Sequence, residues 1–174
     1  MANNDTIWIN LKLLWVMLTG TIVVLLVASC AEAPVDEAQL HAEVDGAAEA
    51  SLQAYAANEV EAYFEFFTDD ATILTSGGEK QIVTQYYESW KQLISSGGGV
   101  SSLDADAART IRLSEDGNSA VVLYPAAEVS YLFPDGSNSG EFSPSTSVWA
   151  ETWVWSKING VWKIIHLHYH SVGN

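Results

Sequence analysis

"AETWVWSKINGVWKIIHLHYHSV" (residues 150–172) holds three of the chain's four histidines, at alternating positions 166, 168 and 170, beside Trp153, Trp155 and Trp162. Asn159-Gly160, set between two alternating runs, is a strong short signal for a hairpin with a two-residue type I′ turn. Such a turn places Ile158 opposite Val161, and each step outward conserves the sum of the paired numbers. Trp155 is then predicted opposite Ile164, Trp153 opposite His166, Glu151 opposite His168, and Trp149 opposite His170. The other face pairs Val154 with Ile165, Thr152 with Leu167, and Ala150 with Tyr169. One face is expected to be aliphatic. The other is expected to line up indoles, imidazoles and one carboxylate.

That second face admits several readings. Adjacent histidines on one strand face lie about 6.5 Å apart and the third about 13 Å from the first, too far for a single three-histidine ion site. His41 falls on a distant helix, so no metal is expected. A carboxylate opposite an imidazole orients it and raises its pKa, and flanking tryptophans exclude water, which makes His168 with Glu151 a candidate acid–base pair. The same side chains serve equally well as the wall of a ligand pocket or as sheet stabilisers at a subunit interface.

Working outward, strands are predicted at 103–113, 119–132, 141–157 and 161–172, separated by "EDGN", "PDGSNSG" and "NG". Upstream the period is helical. Leu40, Val44, Ala48, Leu52 and Tyr55 form a stripe over 35–57, with Asp36 as N-cap and Asn58 as the break. "EVEAYFEFF" (59–67) reads as a second, shorter helix, and "DDATILTSGG" (69–78) as turn, strand and turn. A third helix is expected over 79–96, closed by the glycines at 97–99. Helices followed by an antiparallel meander predict an α+β domain with its helices on one face of a curved sheet. Tyr55 and Tyr63 each have a hydroxyl that can enter the interior, and Trp90 falls on the third helix's apolar stripe. Gly97–Gly99 is no phosphate cradle, since neither a lysine nor a helix start follows it, and no cofactor is expected.

The start of the chain is of a different kind. Leu13 to Ser29 is uncharged, too short for an ordinary membrane span, and ends in small residues. Its ending, "VASC", resembles the lipobox of bacterial lipoproteins, in which cleavage precedes a cysteine that becomes lipidated. Cys30 is the single cysteine, so an internal disulfide is excluded. The expected organisation is a signal peptide at 1–29, a tether at 30–35 and a domain at 36–174, anchored in a bacterial cell envelope through lipid on Cys30. The formal net charge is −15. A domain so acidic repels nucleic acid and anionic lipid, leaving the N-terminal lipid as the expected membrane contact.

The element order, with "VEAY" (60–63), "DG" (135–136), "ETWVW" (151–155) and "NGVWKIIHLH" (159–168), resembles the SnoaL-like branch of the nuclear transport factor 2-like superfamily. The likeness runs over roughly 36–172 and comes nearest to the association domain of calmodulin-dependent protein kinase II. The resemblance implies a cone-shaped barrel of three N-terminal helices on a strongly curved, mainly antiparallel sheet, with a pocket at its open end. It also implies pairing into homodimers through the outer sheet face. Enzymes among such proteins carry out isomerisations, dehydrations or ring closures with pocket acid–base residues, whereas other members only bind or assemble. By that likeness the Trp153 face, with Glu151, His166 and His168, looks into the pocket. Together with the helix residues, which serve equally as core packing, Glu151, His168 and Tyr63 are the candidate catalytic residues, and Trp153, Trp155, His166, Tyr55 and Trp90 the candidate ligand-binding ones. The association domain has arginines where this chain has Trp153 and Ala126, so a small, largely apolar ligand is expected rather than an anion. A filled cone serving self-association alone is the third reading.

Overall fold

The computed structural model describes residues 36–105, 109–134 and 142–172. The signal peptide, the tether, Cys30 and the Asp135-Gly136 turn lie outside the described residues. Helix α1 spans Glu37–Ala56, α2 Val60–Phe64 and α3 Val83–Ser95. The strands are β1 (Phe67–Leu74), β2 (Lys80–Ile82), β3 (Gly99–Asp104), β4 (Thr110–Leu113), β5 (Ser119–Pro134), β6 (Phe142–Ile158) and β7 (Val161–Ser171).

Helix α1 begins where the sequence predicts. The Asp36 carboxylate accepts from the Gln39 backbone N–H at 3.1 Å, satisfying one of the donors a helix start leaves free. Val44, Ala48 and Leu52 are buried along one stripe, with Leu40 and Tyr55 packed at its ends. Asn58 ends the run with φ at 60°, and its amide is then used twice. Nδ2 donates to the Val100 carbonyl and Oδ1 accepts from the Val100 N–H, both at 2.8 Å. One side chain thereby ties the helix end to the start of β3.

The sheet runs β2-β1-β7-β6-β5-β3, with β4 also on β5. It is curved and mixed, and it stays open, because its β2 and β3 edges do not pair. Two features depart from the expected meander. The first and last long strands, β1 and β7, pair in parallel, Thr72 with His166 and Leu74 with His168. The single strand predicted at 103–113 is two, β3 pairing with the far half of β5 and β4 with its near half. The helices cover one face, and the buried cluster between the layers includes Val44, Ala48, Ile73, Val122, Trp153, Trp155, Trp162 and Ile164.

Candidate functional site: the inner cavity

Asn159 and Gly160 have φ of 51° and 82°, as a type I′ turn requires. From this turn the pairing follows expectation out to Trp155 opposite Ile164. There the register shifts by one residue on β7. Beyond it Val154 pairs with His166, Trp153 with Leu167, Thr152 with His168, Glu151 with Tyr169, and Ala150 with His170. An extra residue in one strand of an antiparallel pair is a β-bulge, and it moves every side chain beyond it to the opposite face. Here the residue is Ile165.

The Glu151–His168 pair is therefore overturned. Leu167 and Tyr169 take the inner positions, and the three histidines stand on the outer side of the sheet. His166 Nδ1 lies 2.7 Å from Thr72 Oγ1 on β1. The rings of His168 and His170 lie 5.6 Å apart, tilted by 31°. Neither His166 nor His168 lines the cavity described below. Among the described residues no group of three or more His, Cys, Asp and Glu side chains is placed to hold a metal ion.

Beneath the inner face lies a cavity of about 230 Å³. Strand β6 gives it Trp149, Glu151 and Trp153; β5 gives Tyr124, Ala127 and Tyr131; β7 gives Leu167 and Tyr169. Helices α1, α2 and α3 close it with Leu52 and Tyr55, Tyr63, and Tyr86, Trp90 and Leu93 respectively. Five predicted site residues thus meet here: Glu151, Tyr63, Tyr55, Trp90 and Trp153. Trp155 lies instead in the core, fully buried. Ala126 does not line the cavity either. The β5–β6 register shifts between Tyr124 and Ala127, so that Ala127 faces inward. Proline 125 sits within this irregularity, a position where a missing backbone donor is tolerated.

Among the described residues Glu151 is the one carboxyl in this wall. The Trp153 indole Nε1 donates to its Oε2 at 2.6 Å. Burial raises the carboxyl to about 7, against an ordinary 4.5, and the indole donor offsets only part of that rise. Burial likewise holds the hydroxyls of Tyr55, Tyr63 and Tyr86 well above the usual phenol range. The Tyr55 and Tyr131 hydroxyls share a hydrogen bond at 2.8 Å. The Tyr124 hydroxyl is buried and has no hydrogen-bond partner. The site can therefore hold a small molecule against aromatic faces, and it can give or take one proton near neutral pH.

Sequence reasoning missed Tyr86, Tyr124, Tyr131 and Tyr169 as residues of the wall. One signal was present. The buried apolar positions of β7 are Trp162 and Ile164 up to the first of two adjacent isoleucines, and Leu167 after the second. That change of parity requires an extra residue between them.

An open, curved sheet carrying its helices on the inner face over a ligand-sized hollow is the nuclear transport factor 2-like architecture. The model of the SnoaL-like domain family matches residues 44–172, and the chain belongs to that family. It is similar in fold to a nuclear transport factor 2-like protein of unknown function in nutrient uptake from Rhodospirillum rubrum, with 17% identity and a TM-score of 0.62 over 75% of this chain and 98% of that one. A protein from Exiguobacterium sibiricum, assigned as a calcium/calmodulin-dependent kinase II association domain, gives 11% identity and a TM-score of 0.63 over 83% and 99%. A ketosteroid isomerase-like protein from Erwinia carotovora atroseptica gives 18% and 0.56 over 76% and 96%. No curated protein matches this chain.

Proposed function

We propose that the chain is a lipid-anchored envelope protein whose SnoaL-like domain binds a small, largely apolar ligand in its inner cavity and pairs with a second copy. The cavity carries the binding. At about 230 Å³ it exceeds the roughly 150 Å³ that suffices for benzene in an apolar protein cavity. Its wall joins many aromatic side chains to a single acid, the composition typical of small-molecule sites. Titrating the full chain with monocyclic aromatic compounds should quench tryptophan fluorescence saturably. Ala127→Phe, which fills the hollow, should abolish the effect. Quenching that survives this substitution places the compounds elsewhere and removes the reading.

Pairing is supported by the outer face of β6. Between Val148 and Val154 its outward side chains are Val148, Ala150, Thr152 and Val154, uncharged in a chain of net charge −15. Thr152→Lys should turn a sedimenting dimer into a monomer. The anchor rests on "VASC" and the apolar run before it.

A second reading, enzymatic chemistry of the isomerase, dehydratase or cyclase type, is favoured by the carboxyl held at about 7, near the optimum for a general acid or base. It would run through Glu151 with Tyr63 and not through His168.

A further inference from the structure

We propose that the molecule this cavity takes is an organic cation, an ammonium group on an apolar body of about ten heavy atoms in all. The inference rests on the ligand reading above and narrows it to one chemical class.

Charge is the first ground. Among the described residues the cavity wall contains Glu151 and no lysine, arginine or histidine. An anion entering it would find no counter-charge and would face an acid at close range. A cation finds a charged partner in Glu151.

The aromatic faces are the second ground. Trp149 and Tyr169 meet at 89° with centroids 5.4 Å apart, and Trp90 and Tyr131 meet at 46° and 6.2 Å. All four rings belong to the cavity wall, and the electron-rich faces of tryptophan and tyrosine attract a desolvated ammonium. Plain apolar burial needs no such faces, since leucine or valine would serve it.

The polar atoms are the third. Among the described residues two polar atoms of the wall lack a partner, the Tyr124 hydroxyl, on a residue 2% exposed, and the Trp149 indole N–H. The hydroxyl oxygen can accept from an ammonium N–H or lie against N-methyl groups. Glu151 is itself short of a counter-charge, because burial opposes its ionisation and only the Trp153 indole favours it. A bound cation would complete that half-built pair and displace the carboxyl's proton to solvent. The overall charge of −15 acts in the same direction, raising the concentration of cations near the protein.

Two probes of ten heavy atoms and nearly identical shape separate the possibilities: phenyltrimethylammonium and its neutral carbon counterpart, tert-butylbenzene. Binding is measured by tryptophan fluorescence on the full chain in detergent at pH 8, with the same micelles for every variant. The cation should bind about tenfold or more tighter than tert-butylbenzene. Glu151→Gln should weaken the cation by a similar factor and leave tert-butylbenzene within about threefold. Trp149→Leu provides an independent check through the ring face, again with the larger loss for the cation. Equal or tighter binding of tert-butylbenzene overturns the cation assignment while the ligand reading stands. So does a cation affinity indifferent to both substitutions. Saturable binding of neither probe overturns both.

Discussion

Replacing Glu151 by glutamine tests the electrostatics of the cavity without asking what fills it. The amide keeps an oxygen that can accept from the Trp153 indole, so the 2.6 Å contact has a substitute and the volume hardly changes. What disappears is the titration. In the folded chain burial raises this carboxyl to about 7, whereas in the unfolded chain it returns to its ordinary 4.5. Between those two values the native state holds more protons than the unfolded state, so stability falls as pH rises. Below 4.5 the carboxyl is neutral in both states and contributes nothing to the pH dependence. Above 7 the full penalty is present. At about 1.4 kcal/mol per pH unit the gap sets an upper bound of roughly 3 kcal/mol. Glu43, held low by its hydrogen bond from Lys157, and Asp116, held low by Ser114, act in the opposite direction, since their contribution is lost in acid. Wild type and variant share these two groups, so the difference between them isolates Glu151. Urea unfolding from pH 4 to 8 should give coincident stabilities at the acid end and a variant more stable by up to about 3 kcal/mol at the alkaline end. Curves that stay parallel across the whole range would refute a half-buried, proton-retaining acid.

Three further outcomes concern His168, Asn58 and Cys30. His168→Ala should leave the binding of an aromatic probe in the cavity unchanged, because the bulge turns this imidazole to the outer side of the sheet; a tenfold loss, about 1.4 kcal/mol, would restore the unbulged pairing with Glu151. Asn58→Ala removes both 2.8 Å bonds to Val100 and places a β-carbon residue at φ 60°, so urea denaturation should show a loss of about 2–4 kcal/mol. Cys30→Ser should leave an uncleaved, unlipidated precursor, read as intact mass; a processed, membrane-partitioning product would remove the anchor.

The fold was legible wherever a local rule governed it. Asp36 and Asn58 bound α1 through a side-chain cap and a left-handed backbone position, two short-range effects that a reader of the sequence can place to the residue. Asn159-Gly160 fixed the last hairpin for the same reason. Long-range pairing was not legible. No turn joins β1 to β7; their parallel contact forms because β1 adds to the sheet beside the last strand of the chain, a pairing that no local signal announces. The split of 103–113 into β3 and β4 has the same origin, since both pieces depend on which part of β5 they reach.

The candidate site failed at one residue, and the failure is informative about how such a wall is built. Counting outward from a correct turn assumes that two strands advance together. At Ile164-Ile165 both residues are apolar, so hydrophobicity offers no choice of face, and an uninterrupted count places the histidines inside. The later residues do express a preference. An unbulged strand would set His166, His168 and His170 against Trp153 and Glu151 and would turn Leu167 and Tyr169 to the outer face. Leu167 is 2% exposed in the bulged register. Burying a leucine side chain is worth about 2 kcal/mol, and leaving imidazoles unpaired inside would add a desolvation cost of similar size. One unpaired residue at the bulge is the smaller loss, so the register shifts. The same shift turns the imidazoles away from Glu151, and among the described residues this leaves an acid set among tyrosines and tryptophans, with the Trp153 indole as its hydrogen-bond donor.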